Sequence, residues 1–313
     1  MKMIKLQKGK KVIVNLVKAV FIIGFCFVIL QPLVVMISKA FMGKADIFDN
    51  SVVLVPREWT LFNMEMAIDI MDYWKSLGNT FLLAGVAALV TTFTSMCVGY
   101  GLARFDFRGR NLIMGLVIFT IIIPPQLIMV PLYMRFRFFD IFGIIEMITG
   151  KPGINLLDSF VPFYLLAFGC MGIKNGIFIY MFRQFFRGVP KETEEAAMID
   201  GANAFRIFRS VMIPPAKTMI ITVGLFSFVW QYNDTVYANL FLQNVRVLST
   251  TYSAFQTLSV NAVYDLDAWM KTEEYIAVLK STGVLLLLLP VLIIYLIMQK
   301  HFVDGIERSG LVG

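Results

Sequence analysis

The chain has 313 residues, 58% of them hydrophobic and 16% charged, with a net charge of +7. Soluble domains carry about 25% charged residues, so a water-solvated globule is excluded, and the apolar residues gather into long runs that a soluble core does not need. A single histidine, His301, with no second ligand nearby argues against a zinc or haem site. Cys26, Cys97 and Cys170 each lie within an apolar run and read as packing residues rather than disulfide partners.

Lys2, Lys5, Lys8, Lys10 and Lys11 precede the first uncharged run, Ala19 to Ser38. Roughly 20 residues at 1.5 Å each cross a hydrocarbon core of about 30 Å, so this run is a predicted span. It exceeds the roughly 7–15 apolar residues of a signal peptide and no Ala-x-Ala site follows, which favours its retention. Lys39 to Lys75 is then an extracytoplasmic loop, with Pro56 as a turn residue and Trp59 as an interfacial one. Ser76 to Ala103 and Asn111 to Met134 are the next uncharged runs. Pro124, Pro125 and Pro131 should bend or break the third span, either for packing or at a pore. Asp158 to Phe186 is a fourth span that holds Lys174 near its middle and Arg183 near its end. Thr218 to Tyr237 is a fifth, apolar until Asn233 and Asp234, and Ser281 to Gln299 is the sixth. The fold class is therefore all-α integral membrane protein with six transmembrane helices.

Charge sets the orientation. Arg104, Arg108 and Arg110 follow the second span, and Arg183, Arg187, Lys191, Arg206, Arg209 and Lys217 surround the loop between the fourth and fifth. Asp46, Asp49, Asp69, Asp72, Asp265, Asp267, Glu273 and Glu274 lie on the other side. Cytoplasmic loops carry the basic excess, so both termini and the 189–215 loop are expected in the cytoplasm. The basic balance is an orientation signal and calls for no nucleic acid. Residues 1–75 form a basic tail, first helix and outer loop, and 76–313 form the core with a C-terminal cytoplasmic tail.

The 189–215 loop carries strong local signals. Pro190 suits a helix first turn, and Glu192, Glu194 and Glu195 follow where the positive end of the helix dipole favours carboxylates. Gly201 can adopt the positive φ that ends a helix, and Asn203 can cap a second helix running to about Met212, which Pro214 stops. Ala196 and Ala197 keep one side thin. Phe205 and Phe208 are expected to anchor the second helix, with Arg206 and Arg209 turned outward. By physics alone this is as well read as an ordinary amphipathic connector.

Lys174 is set by depth. Nine helical residues separate it from Arg183 and rise roughly 13 Å, which places a cation near the bilayer middle at a cost of about 2.5–3.5 kcal/mol unless paired or wet. It reads either as a pore-lining donor for substrate hydroxyls, with Asn175, Gln231 and Asn233 as companions, or as half of a structural pair with an acid on another helix or subunit.

Glu195-Ala196-Ala197, then Gly201, then Val211-Met212-Ile213-Pro214 resembles the Glu-Ala-Ala signature of bacterial ATP-binding-cassette import permeases. Gly78-Asn79-Thr80, Gly99 to Arg104 with Phe107 to Arg110, Ile123 to Gln126, Val130 to Tyr133, Arg183 to Pro190 and Trp230-Gln231-Tyr232-Asn233-Asp234 extend the likeness over roughly 75–313, best to carbohydrate-uptake permeases of maltose type. The tail Gly305 to Gly313 is similar as well, whereas Gly143 to Asp158 looks like an insertion and Lys174 departs from the pattern. The resemblance implies a binding-protein-dependent importer permease fold in the bacterial cytoplasmic membrane. It implies that Glu194, Glu195, Ala196, Ala197, Asp200 and Gly201 couple the chain to cytoplasmic ATPase subunits. It also implies a second permease subunit in a heterodimer, an extracytoplasmic sugar-binding protein, a carbohydrate substrate and surrounding lipid.

The chain lacks the Gly-x-x-x-x-Gly-Lys-Ser/Thr phosphate loop, so hydrolysis must come from another subunit. No catalytic residue, metal ligand or cofactor is expected. A membrane-embedded enzyme would need a reactive constellation that one histidine does not supply. An ion-coupled secondary transporter would need an intramembrane carboxylate and usually an internal repeat, neither of which is evident. A permease of the same class for a non-sugar solute shares the Glu-Ala-Ala loop.

Overall fold

A computed structural model of the chain describes residues 2–257 and 267–310. The elements are helical, in the order α1 (Lys2–Ala40), α2 (Lys44–Ile47), α3 (Phe62–Ile70), α4 (Tyr73–Arg104), α5 (Arg110–Ile122), α6 (Met129–Arg137), α7 (Ile144–Thr149), α8 (Val161–Phe168), α9 (Asn175–Gly188), α10 (Glu192–Ile199), α11 (Ala204–Ile207), α12 (Lys217–Tyr232), α13 (Val236–Phe241), α14 (Leu248–Thr257) and α15 (Glu273–Gly310). The chain divides into two compact units, one of Met1–Tyr73 with Ala254–Leu289 and the other of Trp74–Ser253 with Pro290–Gly313. Asp265, placed in an outer loop by its charge, and the last three residues of the tail fall outside the described residues, and so does the His301 side chain.

Among the described residues three helices are long and apolar enough to cross a membrane: Val14–Ala40, Tyr73–Arg104 and Glu273–Gln299. Two further pairs qualify if each bent pair is one span, Arg110–Ile122 with Pro125–Arg137, bent by 102°, and Ala204–Met212 with Lys217–Tyr232, bent by 85°. The first bend lies at Pro124-Pro125, as proline placement requires, because neither residue can donate a helical hydrogen bond. The Asp158–Phe186 run corrects the expectation of one continuous span. It is two helices, α8 and α9, parted by a turn in which Cys170 and Lys174 have φ of 56° and 59°.

In the first unit, the segment after α1 is folded upon itself. Asp46 accepts hydrogen bonds from the backbone N–H groups of Arg57 and Glu58, both at 2.8 Å, and buried Asn63 donates to the Met42 carbonyl at 2.8 Å. Trp269 lies beside Tyr275 with ring centroids 4.8 Å apart, and Lys44 Nζ is 5.0 Å from the centroid of the same indole.

Among the described residues the second unit holds a small apolar cluster of Leu102, Met114 and Ile179 and two larger apolar cores. One gathers Phe136, Phe163 and Phe241, with Phe136 and Phe163 edge-on to Phe241 at 5.2 and 5.4 Å. The other gathers Tyr100, Phe182, Phe186, Ile207 and Met212. Glycine lets helices in this unit meet backbone to backbone. A Cβ on Gly99 would lie 2.6 Å from Phe182 Cβ, and one on Gly176 would lie 2.9 Å from the Val117 carbonyl oxygen. Asn79 and Thr80, at the start of α4, bind the start of α14: Asn79 Nδ2 donates to the Arg246 carbonyl at 2.9 Å, and Thr80 Oγ1 accepts from Leu248 N–H at 2.8 Å.

Candidate functional site

The 189–215 loop folds as its local signals dictate. α10 ends in a reciprocal glycine turn: Gly201, at φ 77°, donates to the Met198 carbonyl, and Ala202 donates to that of Ala197. Asn203 caps α11 by accepting from Arg206 N–H at 2.9 Å. A π-turn at Phe208–Met212 follows, and the chain turns at Pro214 before α12. Pro190 stands just before α10 rather than within its first turn.

The two faces of this element differ. Glu195, Ala196, Asp200 and Gly201 are exposed, and Ile199 is 87% exposed. Ala197 is half-buried and packs on the Tyr100–Phe182 core, whereas its neighbour Ala196 is exposed. Phe205 is 70% exposed and stands outside the Tyr100–Phe182 core that it was expected to join as an anchor. That work falls to Ile207 and Met212, which are buried, and to Phe208, whose ring lies 4.7 Å from that of Tyr100. Phe205, Phe208 and Arg209 from this side and Phe93, Cys97 and Tyr100 from α4 line an open cleft of about 600 Å³.

Glu194 turns inward. Its Oε1 lies 3.3 Å from Arg104 Nε, with side chains only 11% and 4% exposed. The alignment is too poor for a hydrogen bond along that contact, which makes it an ion pair held by charge. Arg104 Nη2 also donates to the Val189 carbonyl, and Arg183 Nε donates to that of Leu102 at 3.4 Å. The end of α4, the end of α9 and the start of α10 thus meet at one buried guanidinium.

The residues read as substrate candidates differ in exposure and in hydrogen bonding. Lys174 is exposed, and its Nζ lies 4.9 Å from the centroid of the Trp230 ring. Among the described residues the ion pairs are Arg57–Asp49, Arg104–Glu194 and Arg110–Asp106, so an aromatic face and not an acid meets Lys174. Asn175 is buried and donates to Ser95 Oγ at 3.0 Å, while its Oδ1 has no partner. Gln231 is buried with Nε2 unpartnered, and Asn233 is exposed with Nδ2 bonded to the Val229 carbonyl at 2.9 Å. Asp234 accepts from the N–H groups of Val236, Tyr237 and Ala238, each at 3.1 Å, and so starts α13.

Residues 95–308, more than half of the chain, match the family model described as binding-protein-dependent transport system inner membrane component. The chain belongs to that family. Among curated permeases it is 26% identical to the probable ABC transporter permease protein YurM of Bacillus subtilis, over 94% of this chain and 87% of that one. It is 26% identical to the arabinooligosaccharides transport system permease protein AraQ of the same organism, over 77% and 74%. It is 27% identical to the sn-glycerol-3-phosphate transport system permease protein UgpE of Shigella flexneri, over 90% and 92%. The fold is that of a chain from a bacterial ABC transporter involved in the import of the acidic polysaccharide alginate, with a TM-score of 0.71 at 22% identity, covering 93% of this chain and 96% of that one.

Within this permease, sequence reasoning missed Trp230 as the partner of Lys174 and Arg104 as the partner of Glu194. A tryptophan beside a glutamine in an apolar run gives no sign of which cation will cross to it. Arg104 was visible only as one more residue of a basic cluster after the second apolar run, and a buried acid–base pair leaves no periodic trace.

Proposed function

We propose that this permease is one of two membrane subunits of a carbohydrate importer, fed by an extracytoplasmic binding protein and driven by separate ATPase subunits in the bacterial cytoplasmic membrane. The observation that carries this reading is the α10–α11 element. Its inner side is fastened by Glu194, Ala197 and Ile207, and its outer side offers Glu195, Ala196 and Ile199. A capped helix held rigidly from behind with an uncovered front is suited to seat in another subunit. The sugar assignment draws on the named cargo of the arabinooligosaccharide relative and on the fold shared with the alginate importer chain.

This chain does no chemistry, its core is 76–313, and it crosses the membrane six times, with the α8–α9 pair as the fourth crossing and both termini inside. Asn50 and Lys151 are exposed and have no special backbone conformation, which makes them better labelling positions than Gly153, whose φ of 121° and close carbonyls oppose a side chain. Cysteine introduced at Asn50 or Lys151 should react with an impermeant maleimide in sealed cells, and cysteine at Arg108 or Glu195 should not. Outside labelling of the Glu195 position would reverse the orientation and separate this loop from any cytoplasmic ATPase. Copurification of an ATPase and a second permease, with uptake of a labelled oligosaccharide, tests the assignment itself.

A second reading, an anionic solute, is favoured by Lys174, an exposed cation with no acid against it among the described residues, and by the glycerol-phosphate relative. Competition of uptake by neutral and by anionic sugars separates the two.

A further inference from the structure

The Arg104–Glu194 pair occupies a junction that the docking face does not need. If α10 only had to present Glu195 and Ile199 outward, an apolar contact behind it would suffice and would avoid the cost of desolvating two charges. Instead a carboxylate in the first turn of α10, where the helix dipole favours it, meets a guanidinium in the last turn of α4, where the opposite pole favours that. The same guanidinium holds the Val189 carbonyl at the end of α9. Sliding α10 by one residue would strand both charges away from each other, and a buried charge without its partner is costly.

We propose that Arg104 and Glu194 are a positioning pair that delivers displacement of the α10 segment to α4. Glu194 then differs in role from its neighbour Glu195: it holds the lever, while Glu195 meets what pushes it. This rests on the reading of α10 as the ATPase-docking element.

The test uses the complete transporter, copurified with its ATPase in lipid nanodiscs, with Cys26, Cys97 and Cys170 replaced by alanine. A nitroxide is placed on cysteine at Ile199, at the exposed tip of α10, or at Leu89, on the exposed side of α4. In the parent both labels should change their spectra on addition of ATP with vanadate. In Glu194→Gln the Ile199 response should persist while the Leu89 response is lost. Arg104→Gln removes the other charge and serves where Glu194→Gln fails to assemble; there the Leu89 response should be lost as well. A Leu89 response that survives in either variant overturns the proposal, and so does a parent in which Ile199 responds and Leu89 does not. If Ile199 is silent in the assembled parent, α10 is not the docking element, and both readings fall together. A merely structural pair would lower the yield of the complex without separating the two responses.

Discussion

Lys174 Nζ stands 4.9 Å from the centroid of the Trp230 ring, tying the left-handed start of α9 to the end of α12. A cation over an indole is worth about 0.5–2 kcal/mol, depending on desolvation. Lys174→Met keeps the length of the side chain and removes the charge. The variant should reach the membrane in normal amount and lose most uptake, while Lys174→Arg, which can also stack, should retain it. Full uptake by Lys174→Met, measured in cells against membrane content by immunoblot, would remove Lys174 from the substrate route.

Gly201 is constrained by its backbone and not by crowding. Its φ is 77° and a Cβ there would meet nothing within 4 Å. Left-handed conformation costs a non-glycine residue roughly 1–2 kcal/mol, and asparagine tolerates it best. Gly201→Asn should therefore keep uptake near that of the parent, whereas Gly201→Val should lose uptake and substrate-stimulated ATPase activity together. Equal behaviour of the two variants would mean that the turn is not what matters at this position.

Ala196 and Ala197 are neighbours with opposite surroundings, so aspartate should act differently at each. Ala196→Asp, on the exposed side, should leave the permease intact and weaken retention of the ATPase during purification. Ala197→Asp buries part of a charge against the Tyr100–Phe182 core and should loosen α10 itself, seen as faster proteolysis at the 189–215 loop. Reversed outcomes would mean that α10 is rotated from the orientation described.

Asp158 lies in the connection before α8, outside the helical span, with φ 61°. Its carboxylate accepts from the N–H groups of Gln243, Asn244 and Val245 at 2.8–3.0 Å and from Asn244 Nδ2 at 2.6 Å. These bonds, that of the Asn244 side chain first, hold its pKa down from 3.8 to about 2. A depressed carboxylate contributes stability in full above 3.8, and the contribution is lost as pH falls through about 2. Thermal unfolding in detergent should show Asp158→Asn less stable than the parent near neutrality, with the gap closing across that window. A constant gap would assign the effect to the backbone conformation instead of the charge.

Legibility followed how local each signal is. Asn203, Gly201 and Pro214 act on the backbone within a few residues of themselves, so the helix–turn–helix of the 189–215 loop could be read from the chain. Pro124-Pro125 removes two donors in a row, so that break could be read as well. The break before α9 could not, because Cys170 and Lys174 interrupt an apolar run through left-handed backbone dihedrals, and hydropathy registers only how apolar a side chain is. The partner of Lys174 could not be read from the rise of a helix, which says nothing of what lies across from it. The inward turn of Glu194 depends on where Arg104 arrives in space, which no spacing in either segment encodes.

Gly99 against Phe182 and Gly176 against Val117 have a mechanical consequence. Helices separated by side chains can shear a little, because rotamers on either side yield in small steps. Here backbone touches backbone, and there is no compliant layer to absorb a shift. α4, α9 and α5 are therefore expected to behave as a stiff plate. A push received at any edge of it would be felt at the others almost undiminished, and bending would be left to the proline break and the glycine turns at its margins.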